Sequence, residues 1–285
     1  MNLPFKIAVR FLKSSKGQTF LIIIGIAIGV SVQIFIGSLI QGLQKSLIDK
    51  TIGNSSQITI SSNKDDKTIE NWEQKITKVK ATDSRIEKVS PAADSPAFIK
   101  FSDKTDPIII RGLNLTDDKD LYNIKSKIYQ GNIPKKSYEV LIGKNLQEEL
   151  NLKIKDKISL VTSNGNTKEA VVTGFYDLKV ANINKSWVLT SLKTSQDIFG
   201  FKNKITSIEM KLNSKDVFKA DEISTKVKEN LSDNNIKVEN WKDQNEELLG
   251  GLNGQSVSSL MIQVFVLISV TLGIASVLAV TMVQK

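Results

Sequence analysis

The sequence contains no histidine and no cysteine. Any chemistry would therefore fall to carboxylates, lysines and hydroxyls. A Ser-His-Asp triad is excluded, as are disulfides, thiolate nucleophiles and zinc sites of the Cys/His type. A hard cation held by carboxylates fits the composition, but no calcium-loop spacing occurs. The G-x-x-x-x-G-K-[ST] pattern that cradles nucleotide phosphates is also absent. ATP hydrolysis by this chain alone is not expected. No catalytic, cofactor-binding or metal-ligating residue is assigned, and no cofactor is called for.

What the spacing does support is helix packing. Gly25 and Gly29 form G-x-x-x-G inside a long apolar run, and small residues let helix backbones approach closely in lipid. Further along, Ile36, Ile40, Leu43 and Leu47 fall at i, i+4, i+7 and i+11, an apolar stripe on one face. Near the other end, "VENWKDQNEELLGGL" places Trp241, Asn245, Leu248 and Leu252 at the same spacing, with Asn240 as N-cap and Asp243 beside it. The candidates for helix packing or a stalk are thus Gly25, Gly29, Leu43, Leu47, Trp241, Asn245, Leu248 and Leu252. Gly250, Gly251 and Gly254 follow at once; each costs a helix about 1 kcal/mol relative to alanine, so a hinge is expected there.

The elements that would carry these residues are two membrane helices. From Gly17 to Gln44 there are 28 residues without a charge. As a helix they extend about 42 Å, against a hydrocarbon core about 30 Å thick, so the helix tilts or projects. The run is too long for a signal peptide and ends without a small-x-small cleavage site. A second span lies near Leu260 to Val283. Neither span holds an ionisable residue, which argues against a two-helix ion path.

The formal net charge is +9, but the bias sits at the tips. No acidic residue occurs before Asp49 or after Glu247, while Lys6, Arg10, Lys13 and Lys16 precede the first span. The middle is nearly balanced, which speaks against a nucleic-acid partner. The basic flank predicts a cytoplasmic N-terminus, with residues from about 50 to 255 outside the cytoplasm. Residues 1–16 read as an amphipathic helix on the inner leaflet, capped by Asn2 with Pro4 in its first turn. The span and its extension then occupy 17–48.

Between the spans a strand–helix–strand order appears twice. "SQITIS", a helix over "DDKTIENWEQKITKVKA" and extended segments broken by Pro91 make the first; "KITSIEMKLN", a helix over "SKDVFKADEISTKVKENL" and "IKVENW" make the second. Two such units pair as a split β-α-β sandwich, which predicts one α/β subdomain from 49–113 and 203–240. Residues 114–202 read as an inserted, mostly β subdomain, with "SNGN" as a hairpin turn. Residues 241–284 are stalk and second span. The fold class is α+β: two long transmembrane helices flank this domain.

Four stretches carry a family resemblance: "GIAIGVSVQIFIGSLIQGLQKSL", "VLIGKNLQEELNLKIKDKISLV", "AVVTGFYDLKVANINKSWVLTSLKTSQDIFG" and "VENWKDQNEELLGGL". Together they resemble the FtsX-like, MacB-type ABC transporter permeases, closest to the lipoprotein-releasing LolC/LolE branch. The flanked domain would then be a MacB-like periplasmic core domain. One departure is "RGLNL", where the family carries a G-h-D-P-like motif (h, apolar). Family members have four spans, so the sequence is expected to be the N-terminal portion of such a permease. The resemblance implies a multi-pass plasma-membrane protein, not itself an enzyme. Its implied partners are an ATP-binding subunit, a second permease copy or paralogue, membrane lipid, and a lipoprotein or peptide substrate. Motion would pass from the cytoplasm along the helices to the external domain. A two-span sensor with an extracytoplasmic ligand-binding domain, and a membrane-anchored structural protein, are the alternatives.

Overall fold

The computed structural model describes residues 10, 16–52, 55–115 and 121–283. The expected amphipathic helix over 1–16 lies outside these residues, apart from Arg10 and Lys16. In chain order the elements are α1 (Lys16–Ile52), β1 (Ile58–Ser62), α2 (Trp72–Thr82), β2 (Ile86–Phe101), β3 (Lys104–Leu113), α3 (Ile124–Lys127), β4 (Ile128–Gly131), β5 (Glu139–Gly143), α4 (Lys144–Leu150), β6 (Lys157–Thr162), β7 (Thr167–Tyr176), α5 (Ala181–Ser186), β8 (Trp187–Ser191), α6 (Leu192–Phe199), β9 (Ser207–Leu212), α7 (Ala220–Leu231), β10 (Ile236–Asn240), α8 (Trp241–Gln244) and α9 (Glu246–Val283). They form two units, Met1–Asp49 with Glu246–Lys285, and Lys50–Asn245.

In the first unit, α1 has 37 residues and α9 has 38, about 55 Å each at 1.5 Å per residue. Both contain a window apolar enough to cross a membrane, Ile23–Ile40 and Leu249–Ser276. Many of their apolar side chains lack protein cover: Phe20, Ile34, Phe35, Phe265 and Leu272 are all more than 60% exposed. Water would oppose that arrangement; lipid favours it, because a helix satisfies its backbone polar groups internally. Thr271 does the same with its hydroxyl, donating to the Leu267 carbonyl at 2.8 Å.

The second unit is built on one ten-stranded sheet path, β10-β1-β9-β2-β3-β8-β5-β7-β4, with β6 bonded to both β2 and β7. Its first four strands are mutually antiparallel. This is the split β-α-β order, with α2 and α7 packed on each other and against β2 and β10. The remaining strands close on themselves: β2-β3-β8-β5-β7-β6 returns to β2, a six-stranded barrel. Ile99, Ile110, Ile142, Leu160, Val172 and Val188 fill its interior, each at most 1% exposed. Closure removes the sheet edges that would otherwise recruit other strands.

The two expected subdomains share the β2–β3 hairpin. Residues 86–92 of β2 pair with β9 in the α/β lobe, and residues 97–100 pair with β6 in the barrel. A break is expected at Pro91, but β2 runs unbroken for 16 residues. Register explains the difference. At Pro91 the β3 pairing has not begun; at Pro96 β9 has ended and β6 has not begun; at Pro107 β8 has not begun. Each proline thus has a neighbour strand on one side only, where a missing N–H is tolerated. The first helix also differs: it begins at Trp72, not Asp65, because Asp66 bonds Thr68 and Ile69 bridges to Ile205, drawing that stretch into the sheet. In the second repeat, Val217–Lys219 form a 3-10 turn ahead of α7, which buries Ala220, Ile223, Ser224, Val227 and Leu231.

Candidate functional site

Three constructions stand out from the framework: a helix crossing, the junction into α9, and a buried ion cluster. At the crossing, Gly29 faces Val270; a Cβ added at Gly29 would lie 2.8 Å from Val270 Cγ2. Eight residues on, Gly37 lies near Gln263, with Nε2 3.9 Å from an added Cβ. The pairing of 29 with 270 and 37 with 263 makes α1 and α9 antiparallel. Gln263 is held on its own helix by Ser259 at 3.2 Å. Gly25 has nothing within 4 Å, so of the two glycines in the G-x-x-x-G pattern only Gly29 meets the other helix. Leu43 and Leu47 lie in α1 and Leu248 in α9, but their side chains fall outside those described.

At the junction, Asn240 and Asp243 form a reciprocal capping box. Asn240 Oδ1 accepts from the Lys242 N–H at 2.9 Å, and Asp243 Oδ2 accepts from the Asn240 N–H at 3.2 Å. Trp241 is buried; its Nε1–H donates to the Val217 carbonyl at 2.8 Å and its ring meets Phe218 edge-on at 5.7 Å. Its backbone N–H donates to the Gln57 carbonyl at 2.9 Å, beside β1. The helix then stops. Asn245 takes φ −127°, ψ 36°, outside the helical region, and its Nδ2 donates back to the Trp241 carbonyl at 2.8 Å. α9 starts afresh at Glu246.

This corrects the expected continuous face through Trp241, Asn245, Leu248 and Leu252. Trp241 belongs to the sheet-bearing unit, Leu248 and Leu252 to α9, and Asn245 is the break between them. Leu252 is buried. Gly250, Gly251 and Gly254 are helical, with open space around each.

The third construction centres on Arg111, in the "RGLNL" stretch. Its guanidinium is buried between lobes. Nη2 donates to Glu209 Oε1 at 2.5 Å, and Nη1 donates to the Tyr122 hydroxyl at 3.2 Å. Tyr122 in turn donates to Glu209 Oε2 at 2.8 Å. Asp94 Oδ2 lies 2.8 Å from Arg111 Nε, an ion contact without an aligned hydrogen bond, and Asp94 Oδ1 is buried with no partner among the described residues. The Trp187 ring caps the guanidinium at 4.0 Å. Glu209 comes from the α/β lobe, Tyr122 and Trp187 from the barrel side, and Arg111 and Asp94 from the shared hairpin. Burial opposes the charge on Arg111, but Asp94 and Glu209 outweigh it and keep the group charged. Burial pushes the Tyr122 hydroxyl well above its usual range.

Gly112 follows for a packing reason: an added Cβ would stand 2.4 Å from Ser195 Cβ, and Ser195 Oγ donates to the Ala93 carbonyl at 2.6 Å. α6 therefore seats directly on the hairpin at the lobe boundary. The "RGLNL" stretch is visible in the sequence, but the cluster around its arginine is not. Its one local signal is an arginine inside the apolar strand "PIIIRGL". Glu209 lies 98 residues away, beyond any local periodicity.

No group of three or more histidine, cysteine, aspartate or glutamate side chains is arranged to hold a metal among the described residues. What the described residues do form is packing, caps and a buried ion cluster at the points where elements meet.

Comparison with known proteins places the chain in a family. The model of the MacB-like periplasmic core domain matches residues 19–227. The lipoprotein-releasing system transmembrane protein LolC of Xylella fastidiosa is 22% identical over 232 residues, covering 75% of this chain and 55% of that protein. LolE of Haemophilus influenzae is 25% identical over 232 residues, covering 74% and 55%. The chain thus spans about half the length of the curated relatives it matches. The solved periplasmic region of MacB from Actinobacillus actinomycetemcomitans aligns with a TM-score of 0.48 at 14% identity, covering 71% of this chain and 95% of that one. With the family model matching residues 19–227, from the first apolar helix through most of the sheet-bearing unit, the chain belongs to the family of MacB-like periplasmic core domain proteins.

Proposed function

We propose that this chain is part of a permease subunit of an ABC transporter, and that it passes motion from a separate ATP-binding subunit to the Lys50–Asn245 domain. The observation that carries the reading is the antiparallel contact of α1 and α9 at Gly29 and Val270, two helices that enter and leave one domain. A pair held against each other moves together, so a displacement at one end has a path to the other. The capped Trp241 supports it, because the last strand of the domain is anchored before the chain turns into α9.

In this reading the N-terminus is cytoplasmic, the domain lies outside the cytoplasm, and the subunit pairs with a second copy or a paralogue in the membrane. The domain would handle a lipoprotein, a peptide or another envelope substrate; the LolC and LolE relatives are named for lipoprotein release. The test is co-expression of the full-length gene product with an ABC-type ATP-binding subunit of the same organism. Co-purification and a changed ATPase rate are expected. No association and an unchanged rate would reject the reading.

A further inference from the structure

We propose that Asp94 is a protonation site that sets how tightly the α/β lobe and the barrel are joined. The geometry puts two carboxylates, Asp94 and Glu209, on one guanidinium. They are not equivalent. Both oxygens of Glu209 are engaged, by Arg111 and by Tyr122. Asp94 has one oxygen against Arg111 and one buried oxygen with no partner among the described residues. A buried carboxylate charge is costly when it is only half compensated, and a proton on Asp94 Oδ1 removes that charge. It also leaves one carboxylate to one guanidinium. The proton comes from water, no other bond is made or broken, and the 25% exposure of the Asp94 side chain gives it a route.

Among the described residues, the charged and titratable groups that bear on Asp94 are Arg111 from β3 and Glu209 from β9. Tyr122, on the segment ahead of α3, reaches it through Arg111 and Glu209. Burial is the largest influence and pushes the Asp94 carboxyl up to about 6; Arg111 holds it down and Glu209 pushes it further up. A carboxyl that is harder to ionise in the folded state stabilises that state fully below its ordinary range. The contribution is lost as pH rises through about 6. The junction therefore tightens as the surroundings become mildly acid.

The boundary has its own reporters. The Asp94 N–H donates to Thr206 Oγ1 at 2.8 Å, and the Thr206 N–H donates to the Ala92 carbonyl at 2.9 Å. Hydrogen exchange of these two amides is measured in the full chain in lipid nanodiscs between pH 7 and pH 5, corrected for the intrinsic rate. Protection in the wild type is expected to rise about tenfold over that range. Asp94→Asn, close to isosteric with the protonated acid, is expected to hold the high level at both pH values. Glu209→Gln, which removes the like charge, is expected to move the rise to lower pH. A flat wild-type profile, or a pH dependence that survives Asp94→Asn, would overturn the proposal.

Discussion

Arg111 is a charge that the fold has taken out of water, and its worth depends on its partners remaining. Replacement by alanine strands Asp94 and Glu209 together in a buried pocket. Breaking a buried pair from one side costs about 3–5 kcal/mol. Denaturant unfolding of Arg111→Ala is therefore expected to show a loss of that order, and a loss below about 1 kcal/mol would mean that water already reaches the cluster. Gly29 makes a prediction of the opposite kind, an atom too many. Gly29→Val pushes a branched side chain onto Val270, and overpacking of this type costs about 1–3 kcal/mol. Thermal unfolding in detergent should show the loss, with partial recovery in the double variant with Val270→Ala. Gly25→Val, with open space at that position, is expected to be neutral. Equal effects at both glycines would argue against the crossing. On the surface, Arg85 first and Lys226 next hold the Glu222 carboxyl down to about 2. Lys179, through its side chain and its N–H, does the same for Asp177, with Asn184 adding to it. Such groups stabilise above their ordinary range and lose that contribution as pH falls towards about 2. The stability profile should therefore fall on the acid side below about pH 4. Glu222→Gln is expected to shallow that limb without altering the rise expected from Asp94 between pH 7 and pH 5.

At the scale of elements, the junction after β10 is the place to test. Trp241→Ala removes a fully buried ring, its hydrogen bond and its contact with Phe218, and such truncations cost about 3–5 kcal/mol. Asn240→Ala should cost about 1 kcal/mol, the usual worth of an N-cap. Both are measured by unfolding of the full chain. A Trp241 variant that unfolds like the wild type would mean that the cap does not anchor the domain's last strand. The same junction shows how far local sequence carries. Asn240 and Asp243 were legible because a capping box is written in neighbouring residues. The break at Asn245 was not, since "DQNEELLGG" keeps helical spacing and the interruption depends on Trp241 being held by β1 and the Val217 turn. The hairpin at "SNGN" was legible from its turn residues, and it joins β6 to β7. Closure through β6 to β2 was not, because it joins segments about 60 residues apart and leaves no local trace. Pro91 misled for a related reason: its cost depends on which flanking strand is absent at that register.

For the whole molecule, two long apolar helices around a mixed α/β and β domain were readable from composition and periodicity, while the Arg111 cluster was hidden by its sequence separation. The proposed orientation rests on the basic flank ahead of α1. Cysteines placed by Lys104→Cys and Asn166→Cys should react with an impermeant reagent in intact cells; labelling only after lysis would reverse the topology. The central claim is that events at a cytoplasmic ATPase reach the Lys50–Asn245 domain. It is tested most directly by hydrogen exchange on the full-length gene product assembled with its ATP-binding subunit in nanodiscs, compared without nucleotide and with ATP plus vanadate. The account predicts altered protection around Trp241–Asn245 and at the lobe boundary near Asp94 and Thr206. Changes confined to the cytoplasmic side, with the domain unaltered, would contradict it.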